Sequence, residues 1–362
     1  MQGLLLLVID KYHQSKMKMK NDIIKRILIL FISIITVISC NRDDIVLKSE
    51  HGFPDNPVNL VMFNSKYDDY NSDIAPGEYD MYPLIFSSNR NSNGRNYDFN
   101  IFSLGMGYPF DEDIVSIRES AGITSTHSHL NLIIDEVNTE DNQFGPYIYY
   151  LPESSDPHEE EFLFFYAQGK PDELDIKYWF HELTKAPTYQ DKFIEYKWSG
   201  PFDLKSINTD NFSEGYISIQ SDKIYFCSNR TGNYDIYEKE IPSSTSIFEF
   251  LNSENNGDFN QIVELNSNAD DKCPFIVDNF MVFASDREGG FGGFDLWYSI
   301  NENGIWSSPV NFGENINSEF DEYRPIFKKY DDIKNDIMIF SSNRPGGIGG
   351  FDLYYVGINE TK

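Results

Sequence analysis

The stretch Phe283-Ala284-Ser285-Asp286-Arg287-Glu288-Gly289-Gly290-Phe291-Gly292-Gly293-Phe294-Asp295-Leu296-Trp297-Tyr298 returns 57 residues later as Phe340-Ser341-Ser342-Asn343-Arg344-Pro345-Gly346-Gly347-Ile348-Gly349-Gly350-Phe351-Asp352-Leu353-Tyr354-Tyr355. A shorter copy is Phe226-Cys227-Ser228-Asn229-Arg230-Thr231-Gly232-Asn233-Tyr234-Asp235-Ile236-Tyr237. Another opens Phe86-Ser87-Ser88-Asn89-Arg90 and closes near Asn100-Ile101-Phe102, and a worn one runs from Phe165 to Asp175-Ile176. Between them lies a second repeat. Trp306-Ser307-Ser308-Pro309-Val310-Asn311-Phe312, followed by Glu322-Tyr323-Arg324-Pro325, is echoed by Trp198-Ser199-Gly200-Pro201-Phe202-Asp203-Leu204. A fainter echo is Val263-Glu264-Leu265-Asn266-Ser267 with Asp271-Lys272-Cys273-Pro274. Each unit reads as a strand, a strand ending in Ser-Asn-Arg, a Gly-rich turn, a strand opening with aromatic-Asp, and a fourth strand with an acidic loop. Repeats of four short strands are propeller blades.

The equivalent phenylalanines fall at 86, 165, 226, 283 and 340. Five blades follow. An acidic insertion between Asp135 and Glu160 explains the long first interval, and a cramped sixth blade using Tyr147 to Leu151 is the alternative. After Tyr355 the chain lacks a fourth strand, while Pro57-Val58-Asn59-Leu60 resembles Pro309-Val310-Asn311-Phe312. The N-terminal strand is therefore expected to complete the last blade and hide its open edge. The fold class is all-β, a single propeller over residues 57–362.

Composition agrees with such a body. The 362 residues are 40% apolar and 15% aromatic, far from a disordered composition. Residues 1 to 40 hold six basic and two acidic groups, leaving 23 and 56 for the rest and a formal charge of −33. That surface repels nucleic acid and anionic head groups. Three cysteines, Cys40, Cys227 and Cys273, do not make a disulfide scaffold, and whether the last two pair is open.

The basic Lys18, Lys20, Lys25 and Arg26 precede an apolar run from Ile27 to Ile38, of signal-peptide length and too short for a transmembrane helix. Val37-Ile38-Ser39-Cys40 follows and resembles the lipobox of bacterial lipoproteins, which implies lipidation of Cys40 and cleavage before it. Asn41-Arg42-Asp43-Asp44 is similar to the acidic tract that sends Bacteroidota lipoproteins to the outer face of the outer membrane. The expected organisation is a signal peptide over 1–40, a tether over 41–56 and the propeller. Residues 1 to 16 add nothing to the signal, so translation is expected from Met17 or Met19.

The units resemble the WD40-like PD40 repeats of TolB-type β-propellers, whose signature is a Ser-Asn-Arg hairpin followed by Asp-Ile-Tyr or Asp-Leu-Tyr. The resemblance covers roughly residues 57 to 358 and is poorest in the second unit. It implies a protein-binding or scaffolding platform in the cell envelope.

Arg90, Arg230, Arg287 and Arg344 recur with Asp235, Asp295 and Asp352. A catalytic centre is used once, whereas a blade-building device is used in every blade, so these residues are read as structural. The carboxylate is expected to accept hairpin N–H groups and the guanidinium, and Gly to supply positive φ. The non-repeated segments Asp135 to Glu160 and Ser243 to Asp258 are the better functional candidates. His127 and His129 share one face if they lie on a strand, but no third metal ligand has telling spacing. Asn252 to Gly257 lacks the terminal bidentate Glu of a calcium loop. No Gly-x-Ser-x-Gly elbow and no separate catalytic domain are present. The reading is therefore a lipid-anchored, non-enzymatic platform at the outer membrane with a protein or glycan partner and no cofactor, metal or nucleic acid. The alternative is a carbohydrate-active propeller enzyme with two carboxylates in its central channel.

Overall fold

A computed structural model describes residues 52–75, 81–107, 116–120, 128–151, 162–183, 196–254, 258–330 and 333–359. Cys40, the apolar run before it and His127 lie outside them. Among the described residues no helix is long and apolar enough to cross a membrane.

The chain opens with a two-residue strand, β1 (Val58–Asn59), and then builds five sheets in succession. The first blade is β2 (Asp69–Ile74), β3 (Met81–Ser88), β4 (Asp98–Gly107) and β5 (Ser116–Ser120). Helix α1 (Ser128–Val137) leads to β6 (Gln143–Tyr150), β7 (Phe162–Lys170), β8 (Glu173–Leu183) and β9 (Tyr196–Asp203). The third blade is β10 (Glu214–Gln220), β11 (Lys223–Ser228) and β12 (Asp235–Glu240), then helix α2 (Ile247–Asn252) and β13 (Asn260–Gln261). The fourth is β14 (Asp271–Val277), β15 (Phe280–Ser285) and β16 (Asp295–Glu302), its outer edge divided between β17 (Ile305–Trp306) and β18 (Val310–Asn311). The fifth holds β19 (Glu322–Lys328), β20 (Asp336–Ser342) and β21 (Asp352–Ile358). This is an all-β, five-bladed propeller of four-stranded antiparallel sheets. Tyr147 to Tyr150 belong to the innermost strand β6 of blade two and not to a sixth blade.

In the last sheet Val58 pairs with Tyr355 and Asn59 with Tyr354, and Leu60 donates its N–H to Leu353 O at 2.9 Å. The innermost strands β2, β6, β10, β14 and β19 touch one another in cyclic order, the last against the first.

Second strands lie between neighbouring blades, so both of their faces are covered and the polar alternation of a half-buried strand is lost. Phe162 to Ala167 are all buried for this reason, and the five repeat phenylalanines, Phe86, Phe165, Phe226, Phe283 and Phe340, are fully buried. Both candidate segments hold helix. Part of the 135–160 insertion belongs to α1, whose Leu130, Ile133, Ile134 and Val137 pack on Phe99, Phe164 and Tyr166. The 243–258 stretch holds α2, which starts on a Ser246/Glu249 capping box and buries Phe250 and Leu251. Both use their apolar residues for packing. His129 lies on α1, not on a strand, so the strand-face argument for a histidine pair fails.

Candidate functional site at the axial mouth

Each Ser-Asn-Arg hairpin is built around a fully buried carboxylate at the start of the innermost strand. Arg90 Nη2 meets Asp69 at 2.5 Å, Arg230 meets Glu214 at 2.9 Å and Arg344 meets Glu322 at 2.8 Å, while Arg287 pairs with Asp271. The preceding serines donate to the same carboxylates in blades one, three and five. The guanidiniums of Arg90, Arg287 and Arg344 also donate to Phe63 O, Leu265 O and Ile316 O. Each guanidinium carbon sits 5.1–5.4 Å from the ring centroid of its own repeat phenylalanine.

The expected guanidinium partner is thus corrected, because Asp235, Asp295 and Asp352 serve the turns instead. Asp352 accepts Ile348 N, Gly349 N at 3.0 Å and Asn59 Nδ2 at 3.0 Å. Asp295 accepts Phe291 N at 2.7 Å and Asn311 Nδ2 at 2.8 Å. Asp235 accepts Thr231 Oγ1 and Gln261 Nε2. A carboxylate ringed by hairpin N–H groups has little space for a guanidinium, and the Arg reaches inward to the acid of the first strand.

The aromatic in aromatic-Asp has a separate job. Its backbone N–H donates to the next blade: Tyr97 to Asn142 Oδ1 (3.1 Å), Leu174 to Ser213 Oγ (2.9 Å), Tyr234 to Asp270 Oδ1 (2.9 Å) and Phe294 to Asp321 Oδ1 (3.0 Å). Phe351 then donates to Asp68 Oδ1 of the first blade (3.1 Å). Five equivalent bonds therefore run round the ring. The second glycine pairs permit this approach, since a Cβ on Gly292 would stand 2.4 Å from Phe320 O and one on Gly349 1.9 Å from Tyr67 O. Positive φ is the business of the earlier glycines, Gly289 at +93° and Gly346 at +95°.

Pinned in this way, Leu174, Tyr234, Phe294 and Phe351 turn toward the axis. A cavity of about 270 Å³ opens there, lined by Tyr70, Phe144, Tyr216, Tyr234, Phe294, Tyr323 and Phe351 with Leu174, Lys272, Asp172 and Asp321. All five blades contribute. Lys272 Nζ lies 4.0 Å from the Tyr234 ring centroid and 2.9 Å from Asp270. Asp321 also accepts Asn343 Nδ2 at 3.0 Å, whereas Asp172 is exposed in the β7–β8 turn. Burial pushes the phenols of Tyr70, Tyr216 and Tyr323 well up, so they stay neutral donors.

Below the mouth every innermost strand carries a bulge, placed between Tyr70 and Ser72, Phe144 and Tyr147, Gly215 and Ser218, Lys272 and Phe275, and Tyr323 and Ile326. The residue after the first of each pair has positive φ: Asn71 (56°), Gly145 (55°), Tyr216 (56°), Cys273 (58°) and Arg324 (47°). One backbone device thus presents four different side chains and one glycine around the axis, at roughly 1–3 kcal/mol of strain for each non-glycine. Cys227 and Cys273 are both free and buried beside it, their thiols pushed up first by burial, that of Cys273 to about 11. Asp73, two residues past Asn71, is buried and pushed up to about 6.

Sequence reasoning placed function on non-repeated segments. An aromatic-lined cavity lies on the repeated rim, where hairpins and acidic loops converge as the inner strands begin, and a more polar one lies against the 243–258 stretch, lined by Lys239, Phe250, Ser253 and Asp258. The missed signal was legible in the second repeat, where a constant frame carries a changing residue before proline: Gly145-Pro146, Cys273-Pro274, Arg324-Pro325. Among the described residues no cluster of three His, Cys, Asp or Glu could hold a metal ion.

No family model and no curated protein matches the chain. Solved structures do resemble it. An exo-1,5-α-L-arabinanase from a bovine ruminal metagenomic library has a TM-score of 0.46 at 9% identity, over 83% of this chain and 96% of that one. The catalytic domain of the Coprinopsis cinerea GH62 α-L-arabinofuranosidase has 0.41 at 10%, over 86% and 98%. A protein of unknown function from Dyadobacter fermentans has 0.42 at 10%, over 84% and 98%. At such identities the likeness concerns the fold alone. The expectation of a non-enzymatic platform, drawn from a lipid anchor and a body of blade repeats, is corrected against these glycosidase neighbours.

Proposed function

We propose that the chain is a carbohydrate-active propeller of the cell envelope, held by lipid on Cys40 at the outer membrane, and that the axial funnel is its saccharide site. The blades are of the PD40 kind in this reading. The observation that carries it is the convergence of seven aromatic side chains from all five blades on one cavity of about 270 Å³ that also holds Asp172, Asp321 and Lys272. Aromatic faces pack on the C–H faces of a sugar ring, and a few charged groups bind its hydroxyls and orient it. The volume lies near the lower end for small-molecule sites, which suits one or two sugar units entering end-on.

Glycoside hydrolysis needs two carboxyl groups on opposite sides of the scissile bond. Asp172 and Asp321 come from blades two and five, which are not neighbours in the ring, and both line the cavity. Asp321 is held by Phe294 N and Asn343, whereas Asp172 stands in solvent. The test is calorimetric titration and product release over a panel of neutral and acidic oligosaccharides. Phe351→Ala is expected to weaken binding at least tenfold, and Asp172→Asn to stop turnover while leaving binding. A panel that yields neither binding nor product from wild type refutes the reading.

A further inference from the structure

The floor of the funnel hides a charge that the protein does not neutralise by contact. Arg324 is fully buried at the bulge of β19. Its Nη2 donates to Pro146 O on β6 at 3.2 Å, and its guanidinium carbon lies 5.5 Å from the Tyr216 ring centroid on β10. The head group therefore stands near the axis, addressed by three blades. Among the described residues no acceptor meets Nε or Nη1.

The carboxylate that feels this charge is Asp73, on the neighbouring β2. Its Oδ2 is taken by Ile148 N at 2.8 Å, and it forms no ion pair with Arg324. Lys328 adds a second positive charge, which also acts on Asp73. Asn71 occupies the bulge of β2, in the position that Arg324 holds on β19, and is fully buried with neither Oδ1 nor Nδ2 partnered among the described residues. A buried guanidinium with unmet donors and no contacting counter-charge is strongly destabilising. Water would satisfy the donors but leave the charge.

We propose that the axial channel beneath the funnel binds a small inorganic anion, with chloride as the natural occupant, on Nε and Nη1 of Arg324 and the amide Nδ2 of Asn71. An anion there meets the unpaired donors and brings the local charge of Arg324, Lys328 and Asp73 close to zero. The size limit follows from the surroundings. Arg324 is fully buried and is not among the residues that line the funnel, so the site is closed to a sugar carboxylate and the proposal commits to a monatomic anion. Gly145 keeps the ring free of a fifth side chain, because a Cβ there would stand 2.6 Å from Tyr216 Cδ1. The conformational strain at Asn71 and Arg324 has a use in this arrangement, since the bulge aims both side chains inward.

The experiment uses the mature wild-type protein crystallised in sodium bromide, with diffraction recorded at the bromine edge. The expected result is an anomalous peak within hydrogen-bonding distance of Arg324 and Asn71 Nδ2. Density without anomalous signal, meaning water, or peaks confined to surface lysines, overturns the proposal. In solution, the melting temperature of wild type is expected to rise with chloride against gluconate at equal ionic strength, and that of Arg324→Met to be indifferent. If Arg324→Met does not fold, the bromide map on wild type decides alone. Neither readout depends on the funnel having a saccharide ligand.

Discussion

Replacing Asp73 by Asn tests the electrostatics of the channel directly. Burial drives this carboxyl from the ordinary aspartate value of 3.8 up to about 6, against the opposing hydrogen bond from Ile148 and the charges of Arg324 and Lys328. The Tyr147 phenol faces it from β6 and feels its charge in turn. A carboxyl whose folded value is raised holds its proton more tightly in the native state than in the unfolded chain. Its favourable contribution is complete below pH 4 and is lost as pH rises through about 6. Roughly two pKa units correspond to about 3 kcal/mol. Asparagine is isosteric, keeps an acceptor for Ile148 N and cannot ionise. The stability of Asp73→Asn relative to wild type is therefore expected to improve by about 3 kcal/mol between pH 4 and 7.5, or about 5 °C in melting temperature for a chain of this size. Urea or thermal denaturation of the two proteins in parallel, in steps of half a pH unit, gives the difference curve, in which the other carboxylates cancel. A difference that is flat with pH, or that falls as pH rises, refutes the account whatever its absolute size.

Gly349→Ala should disrupt the joint between the last blade and the first, because its Cβ would collide with Tyr67 O, whereas Gly346→Ala meets open space and suffers only from its positive φ. The first is expected to cost clearly more than the second, which should cost about 1 kcal/mol; equal losses in thermal melts argue against close approach as the reason for the second glycine pair. Arg344→Ala leaves Glu322 buried without its cation, at about 3–5 kcal/mol, and adding Glu322→Gln should recover part of that loss; a double variant less stable than the single one contradicts the ion pair's role. Cys40→Ser is expected to abolish acyl labelling and release the protein into the soluble fraction, and an unchanged membrane fraction rules out the anchor.

The five blades, their four strands and the N-terminal strand's likeness to a fourth strand were legible because they are repeated, and repetition multiplies a local signal that a single strand lacks. Phe283 to Tyr298 against Phe340 to Tyr355 needs no tertiary knowledge to be read as one unit used twice. The same logic misassigned the partner of the recurring arginines. Which of two acids, Asp295 after the hairpin or Asp271 before it, receives Arg287 depends on where the hairpin folds back, a through-space matter that spacing does not encode.

The site escaped for a related reason. Its residues Tyr70, Tyr216, Lys272, Tyr323 and Phe351 lie far apart along the chain and differ from blade to blade, so no motif gathers them. The amino-acid sequence alone determined the architecture and the net charge, since each rests on local pattern or composition. Only closing the ring decided that five bulges meet on one axis, that the aromatic rings form a funnel above them, and that Arg324 is buried there without a counter-charge in contact, because convergence on an axis is a property of the closed circle and of no blade taken singly.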